Sequence, residues 1–307
     1  MHLKKDKKLK LIWLHGVSCN ANSHSFLNLD NLEYLLSKLE IIYHPILPSV
    51  YTLSEVVTMP TEIVCDIVVF EGSYDPLFQR ASKPLSDFLP YYFQMAKHIV
   101  ALGSCASFGG IFKEVAPQRS SGLLFNEKKK VAHFIQFEKK IINLSGCPVH
   151  PEWLEYVLEM FIAKQSISLD QEHRPVELYS TLAHHGCTRN EYFEWKVDST
   201  SFGTKEGCLF YQQGCRAPMT HSSCNKILWG GVSSKTRVGT PCFGCTEADF
   251  PRKDLFHTKT NMSIPEDIPV GISKRSYLTL AGIAKTFHIK RLEKKLIVYE
   301  KEVDSES

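Results

Sequence analysis

The amino-acid sequence predicts an α/β fold: a parallel sheet covered by helices, followed by an irregular, thiol-rich segment. Three observations predict it. Short apolar runs recur at 10–15, 41–47, 63–71, 98–104 and 140–145, each the length of a buried strand. Helix-like stretches lie among them at 26–39 and 85–97, and a third follows the last run at 151–163. Strand and helix alternation of this kind is the pattern of a parallel sheet with helices on its faces. The alternation then stops. SISLDQEHRP (166–175) is polar and ends in Pro, and 180–250 is rich in Gly, Ser, Thr and Cys but poor in apolar periodicity. A last helix-like stretch, 277–286, precedes a mixed-charge end.

Composition narrows the function. The chain has 307 residues, 43% apolar and 22% charged, an ordinary globular balance long enough to bury a core without disulfides. A net charge of +3, with no basic stripe carrying interleaved aromatics, argues against a nucleic-acid partner. The start, MHLKKDKKLK, is basic, but the apolar segment behind it is too short for a signal-peptide core, and no twin-arginine pair is present. No run approaches the ~20 apolar residues of a membrane span. The expectation is a cytoplasmic chain with no membrane span of its own, associated with a membrane only through partners.

Ten cysteines in such a chain point to metal rather than to disulfides. Cys65 lies inside an apolar run and reads as a small buried hydrophobe. Three others close strand ends, in LHGVSC (14–19), VALGSC (100–105) and INLSGCP (142–148), and a fourth end carries Glu71-Gly72. Open parallel sheets bind ligands at the carboxyl ends of their strands. Cys19, Cys105 and Cys147 are therefore expected to face one pocket. Seven more soft ligands lie between 184 and 245: His184-x-x-Cys187, then Cys208, Cys215 and Cys224, then Cys242-x-x-Cys245. They divide into one four-ligand and one three-ligand site. Zinc takes four N or S ligands in a tetrahedron; iron–sulfur clusters take thiolates, occasionally with histidine. One zinc would leave three ligands over, whereas a cuboidal 3Fe–4S cluster uses three. Either metal would supply folding energy that this apolar-poor segment lacks.

The stretches LGSCASFGGI (102–111), SGCPVHPEW (145–153), HHGCTR (184–189), GCRAPMT (214–220) and PCFGCTEADFP (241–251) resemble the small subunit of nickel–iron hydrogenases, in order and nearly in spacing, over roughly 10–255. The resemblance implies a flavodoxin-like domain with a proximal cluster site (1–170), an irregular iron–sulfur domain with distal and medial sites (171–270) and a C-terminal extension (271–307). It implies a proximal cluster at Cys19, Cys105 and Cys147 facing the large subunit. It further implies a distal 4Fe–4S cluster at His184, Cys187, Cys208 and Cys215, and a medial 3Fe–4S cluster at Cys224, Cys242 and Cys245. The nickel–iron centre would belong to the partner alone, and no catalytic residue to this chain. The implied function is electron relay between that centre and an external acceptor or donor protein, in H2 oxidation or proton reduction. Glu71 matches a family position near the proximal cluster and reads as a structural hydrogen-bonding group or a proton relay. His184 rather than His185 is read as the imidazole ligand, from the H-x-x-C spacing, and His221 as a polar residue at the surface rather than a ligand.

One departure stands out. The family's first loop reads C-x-G-C-S; here it is CNANS (19–23), with Asn22 where a second thiolate would be. A neutral amide is a poor ligand for iron. Four outcomes follow: a four-iron cluster with oxygen or water at its fourth corner, a three-iron cluster, recruitment of His24 or another side chain, or no cluster. The expectation adopted is a cluster, 4Fe–4S by the resemblance, still present but altered. Two lesser departures are the Cys208–Cys215 spacing, one residue long, and Lys235, which stands near where a fourth medial ligand or a proline is expected. The alternative function is a non-catalytic small-subunit paralogue acting as scaffold or assembly subunit, with a zinc-stabilised binding module as a third reading.

Overall fold

The computed structural model describes residues 7–261 and 264–286. Five strands make one parallel sheet: β1 (Leu9–His15), β2 (Leu39–Tyr43), β3 (Ile67–Glu71), β4 (His98–Leu102) and β5 (Ile141–Leu144). Their order across the sheet is β2-β1-β3-β4-β5, the doubly wound order of flavodoxin-like folds. The register is continuous, with Trp13 beside Val69, Val69 beside Val100 and Val100 beside Ile142. All five residues of β3 are buried, which is why the central strands read as unbroken apolar runs rather than as alternations.

The helices are α1 (Ala21–Leu27), α2 (Leu32–Lys38), α3 (Leu53–Thr58), α4 (Leu85–Met95), α5 (Ser104–Phe108), α6 (Pro151–Ile162) and α7 (Lys274–Thr286), with shorter turns between. Side chains two apart on a strand share a face, and the two faces have separate cores. Ile12, Leu14, Val68 and Phe70 pack on Val56 of α3 and on Phe88 and Tyr92 of α4. Leu11, Trp13, Val69 and Val100 pack on Phe26 of α1 and on Trp153, Leu154 and Val157 of α6. Burying each such side chain fully contributes about 1.5–3 kcal/mol. Cys65 lies in the first core, and burial raises its thiol to about 12, so it behaves as an inert hydrophobe.

The element boundaries differ from the sequence expectation where polar groups intervene. The second strand stops at Tyr43 because Pro45 has no N–H to give and His44 N–H turns to Ser49 Oγ (2.9 Å). The third begins only at Ile67, since Asp66 spends its carboxylate on Lys10 N–H (3.0 Å) and Lys97 Nζ (2.9 Å). The stretch 26–39 divides into α1 and α2 across NLDN (28–31), in which Asn28, Asp30 and Asn31 flank the buried Leu29, and α1 starts as early as Ala21. That start places Cys19 just ahead of a helix. The mixed-charge end, 287–307, lies outside the described residues.

After α6 the chain runs through turns and helices of three to five residues until α7. Its apolar cluster contains Cys208, Cys215 and Cys242 beside Phe193, Leu209, Phe210, Ala217 and Tyr277, so thiols take the place of hydrocarbon. Polar ties join this region to the sheet. The buried Arg174 guanidinium pairs with Asp170 (2.8 Å), Glu172 (3.0 Å) and Glu247 (3.7 Å) and donates to the Thr246 carbonyl (3.1 Å). Ser145 Oγ donates to the same carbonyl (2.8 Å), and Ser104 Oγ to the Cys245 carbonyl. Among the described residues no helix is long and apolar enough to cross a membrane.

Candidate metal centres

The carboxyl end of the sheet gathers the first three thiols. Cys19 follows β1, Cys105 sits in the first turn of α5 after β4, and Cys147 follows β5. Cys19 and Cys147 are exposed and Cys105 is half-buried. They lie close enough to interact electrostatically: burial, with Cys147 and Cys19 adding to it, raises Cys105 to about 12, and burial, with Cys245 and Cys19 adding to it, raises Cys147 to about 11. The backbone is shaped around Cys105. Gly110 has φ +51°, and a Cβ there would lie 2.5 Å from Cys105 Sγ.

Beneath this site lies Glu71, wholly buried at the end of β3. It accepts from Trp13 Nε1 (3.1 Å), Ser18 Oγ (3.2 Å), Asn22 N–H (3.0 Å), Ser23 N–H (3.1 Å) and Ser23 Oγ (2.6 Å), and His15 Nε2 lies 3.1 Å away. Burial alone would push this carboxyl up. The hydrogen bonds from His15 and Ser23 and the charge of the imidazole outweigh it and hold Glu71 at about 2. It is a saturated anion tying the Cys19 loop to the sheet.

Asn22 joins the same network. Its Oδ1 accepts from Val149 N–H (2.8 Å), and its Nδ2 points to Glu71 Oε1 (3.4 Å). Gly103 (φ +92°) leaves room for it; a Cβ there would lie 2.6 Å from Asn22 Nδ2. From the first turn of α1, Asn22 thus touches the end of β3, Gly103 after β4 and Val149 beyond β5, and its amide is committed to protein partners. His24, two residues further along α1, is exposed.

The other two sets each line a cavity. His184, Cys187, Cys208 and Cys215 surround one, together with Arg189, Phe210 and Thr236. Cys224, Cys242 and Cys245 line a second, with His150, Trp229 and Lys235. His185 lines neither. Burial, with His185 and Lys196 nearby, lowers His184 to about 4, so its imidazole is neutral and free to ligate. Its ring stands edge-on to Phe193 at 4.6 Å. His221 is held instead by Glu247, whose carboxylate accepts its backbone N–H (2.6 Å) and lies 3.3 Å from its ring.

A local backbone habit recurs at these cysteines. Cys187 Sγ accepts from the N–H of Arg189 and Cys208 Sγ from that of Phe210, each at 3.4 Å. Ala217 and Gly244 stand in the same relation to Cys215 and Cys242. An amide two residues on therefore faces sulfur after sulfur, and such bonds stabilise a thiolate and tune a cluster it holds. Burial nevertheless pushes Cys208 up to about 12 and Cys215 to about 11, so metal binding must displace their protons. Among the described residues no three His, Cys, Asp or Glu side chains draw together around a single ion. Ligands ringing a cavity suit a polynuclear group, and the soft donor set suits iron and sulfide.

The three sets adjoin one another. Ser104, next to Cys105, bonds the Cys245 carbonyl, and Cys245 and Cys147 act electrostatically on each other. Cys242 N–H donates to Cys215 Sγ (3.3 Å), joining the three-thiol set to the four-ligand set. A doubly wound sheet with thiols at its carboxyl end, continued by two contiguous thiolate-lined cavities, defines a protein built to carry iron–sulfur centres in a row.

Comparison with known proteins agrees. Residues 179–257 match the family model for the C-terminal part of the NiFe/NiFeSe hydrogenase small subunit, and residues 19–161 match that of the NADH ubiquinone oxidoreductase 20 Kd subunit. The chain is 29% identical over 284 residues to the F420 non-reducing hydrogenase I small subunit of Methanosarcina mazei, covering 79% of this chain and 73% of that one. It is 26% identical to the periplasmic [NiFe] hydrogenase small subunit 1 of Nitratidesulfovibrio vulgaris, covering 80% of each. The fold is shared with [NiFeSe] hydrogenase from Desulfovibrio vulgaris Hildenborough (TM-score 0.67, 23% identity, 82% of this chain and 99% of that one). It is shared too with the actinobacterial-type NiFe-hydrogenase of Ralstonia eutropha (TM-score 0.66, 21% identity, 97% and 94%). Over about four-fifths of its length the chain is similar to small subunits of nickel–iron hydrogenases, and residues 179–257 carry the C-terminal domain of that family.

Sequence reasoning missed three contributors. The clamp role of Asn22 depends on Val149, 127 positions away. Arg174 had no signal in the polar boundary segment where it lies. The amides facing the sulfurs follow from local turns, for which the Gly and Pro beside several cysteines were a faint sign.

Proposed function

We propose that this chain relays electrons between the nickel–iron site of a large subunit and an external acceptor or donor, through iron–sulfur clusters held in three adjoining ligand sets. The contiguity of those sets carries the reading: Cys105 and Cys147 adjoin Cys245, and Cys242 adjoins Cys215. When bound, the clusters accept and release single electrons with little change in geometry. The chain's own residues hold the sulfurs in place, aim amides at them and keep His184 neutral. Two assignments follow the cavities, His184, Cys187, Cys208 and Cys215 for a distal 4Fe–4S cluster and Cys224, Cys242 and Cys245 for a medial 3Fe–4S cluster; that of Cys19, Cys105 and Cys147 to the proximal one follows their place at the carboxyl end of the sheet. Cys19 and Cys147 are exposed, which suits a face docked on the large subunit. Glu71 serves as a structural anchor for the Cys19 loop, since its carboxylate accepts from Ser18, Asn22 and Ser23 on either side of that cysteine.

Iron and acid-labile sulfide analysis of the chain, purified anaerobically with its large subunit and assayed for H2-dependent dye reduction, tests the reading. Both elements and dye reduction are expected; zinc without sulfide would overturn it. For the proximal set, the fit is to three thiolates, because the Asn22 amide is already committed. Asn22→Ala is expected to lower stability by about 1–2 kcal/mol through the orphaned Val149 N–H, while the iron content and the proximal resonance signal stay as in the wild type. Loss of that signal with the fold intact would mean that Asn22 is a ligand.

A further inference from the structure

The cavity around Cys224, Cys242 and Cys245 is lined by aromatic, small apolar and neutral polar residues, and its lining carries one formal charge. Among the described residues that line it, Lys235 is the only Lys, Arg, Asp or Glu. His150, which also lines it, is held neutral, because burial lowers it to about 4. Of the charges on neighbouring elements, Arg189 donates to the Thr236 carbonyl in the wall (2.7 Å), and Arg174, which donates to the Thr246 carbonyl (3.1 Å), is outnumbered by Asp170, Glu172 and Glu247. Lys235 makes no ion pair among the described residues. Its ammonium rests instead over the ring of Phe243, 4.7 Å from the centroid. Phe243 directly follows Cys242 in the Cys242-Phe-Gly-Cys245 turn, so the ring that holds the ammonium belongs to the ligand loop itself. A cation over an aromatic face is held electrostatically without being neutralised.

We propose that Lys235 sets the reduction potential of the centre held by Cys224, Cys242 and Cys245, making that centre a better electron acceptor than its three thiolates alone would be. This rests on the reading that those cysteines hold a cluster. The physical ground is simple: reduction adds a negative charge, and a fixed positive charge at the cavity wall stabilises the reduced form more than the oxidised one. The place of Lys235 in the wall of the medial cavity, and not of the sheet-end site, makes the medial effect the larger. An electron arriving from the proximal side then meets a centre biased to take it.

The test is potentiometric titration of the medial resonance signal in the anaerobically purified complex, with iron content measured on the same samples. Lys235→Met is expected to lower the reduced-to-oxidised ratio at fixed electrode potential by about three- to tenfold, after allowing for the solvent exposure of the side chain. Lys235→Arg keeps the charge and the aromatic contact and should keep the wild-type ratio. Lys235→Gln should follow the methionine variant, which separates charge from packing. Added salt should narrow the difference between wild type and Lys235→Met. A midpoint unchanged in both neutral variants, with full iron content, would overturn the proposal and leave the electron-relay reading standing. Absence of any cluster at these cysteines in the wild type would overturn both.

Discussion

A Glu71→Gln chain is expected to lose about 2–5 kcal/mol of stability at neutral pH, the largest loss foreseen for a single polar substitution here. Glutamine matches the shape but replaces an acceptor oxygen with an NH2 that faces donors. The groups around it include Trp13 Nε1, the Asn22 and Ser23 amides and the Ser23 hydroxyl, all within 3.1 Å of a carboxylate oxygen. A buried donor left without its partner costs about 1–3 kcal/mol, and at least two would be left. The effect carries a pH signature of definite sign. Glu71 falls from 4.5 to about 2 on folding, so its contribution is present above pH 4.5 and is lost as pH falls towards 2. Urea unfolding of the full chain at pH 7 and pH 3 should show the gap between wild type and variant shrinking in acid. A gap of equal size at both pH values would show that the ionised carboxylate contributes nothing. Because the Cys19 loop hangs on this group, weaker retention of proximal iron should accompany the loss of stability.

Arg174→Met should cost about 2–4 kcal/mol and loosen the Cys242–Cys245 loop. Removing one partner from a buried charge cluster leaves the others uncompensated. Here Asp170, Glu172 and Glu247 would face one another at side-chain exposures of 27, 21 and 18%, which moderates the penalty relative to a fully buried case. The Thr246 carbonyl would keep Ser145 Oγ but lose the guanidinium. Lysine at this position should recover only part of the loss, since an ammonium cannot span three carboxylates and a carbonyl as a planar fork does. Thermal unfolding of the anaerobic complex, with iron counted before and after, would check both parts. A melting temperature equal to that of the wild type would remove Arg174 from any account of how the cysteine-rich region is seated.

Much of the fold could be read from the chain because its strands are buried on both faces. Ile67–Glu71 and its neighbours announce themselves by hydrophobicity alone, and the turns after them by Gly and Ser. The candidate ligand residues were legible for a different reason: thiols and an imidazole at short, repeated spacings are rare outside metal sites. What stayed hidden depends on partners distant in sequence. Asn22 reads in the sequence as a missing ligand, and its bond to Val149 was not visible there. Nor were the five donors around the Glu71 carboxylate. Lys235 looked like a residue out of place, and the ring of Phe243 gives it one. Boundaries failed where a side chain competed with the backbone, as at Asp66 and Ser49.

The ties from Ser104, Ser145 and Arg174 to the carbonyls of Cys245 and Thr246 bear on the timing of charge movement. The probability that an electron tunnels falls exponentially with the gap it must cross, so a gap that breathed would give a different rate at every instant. Anchoring the backbone of a ligand loop directly to the rim of the sheet removes that variation. Heating the complex below its melting point should therefore leave the hop between these two centres nearly constant. Slowing on mild warming would point to the junction giving way before either part unfolds.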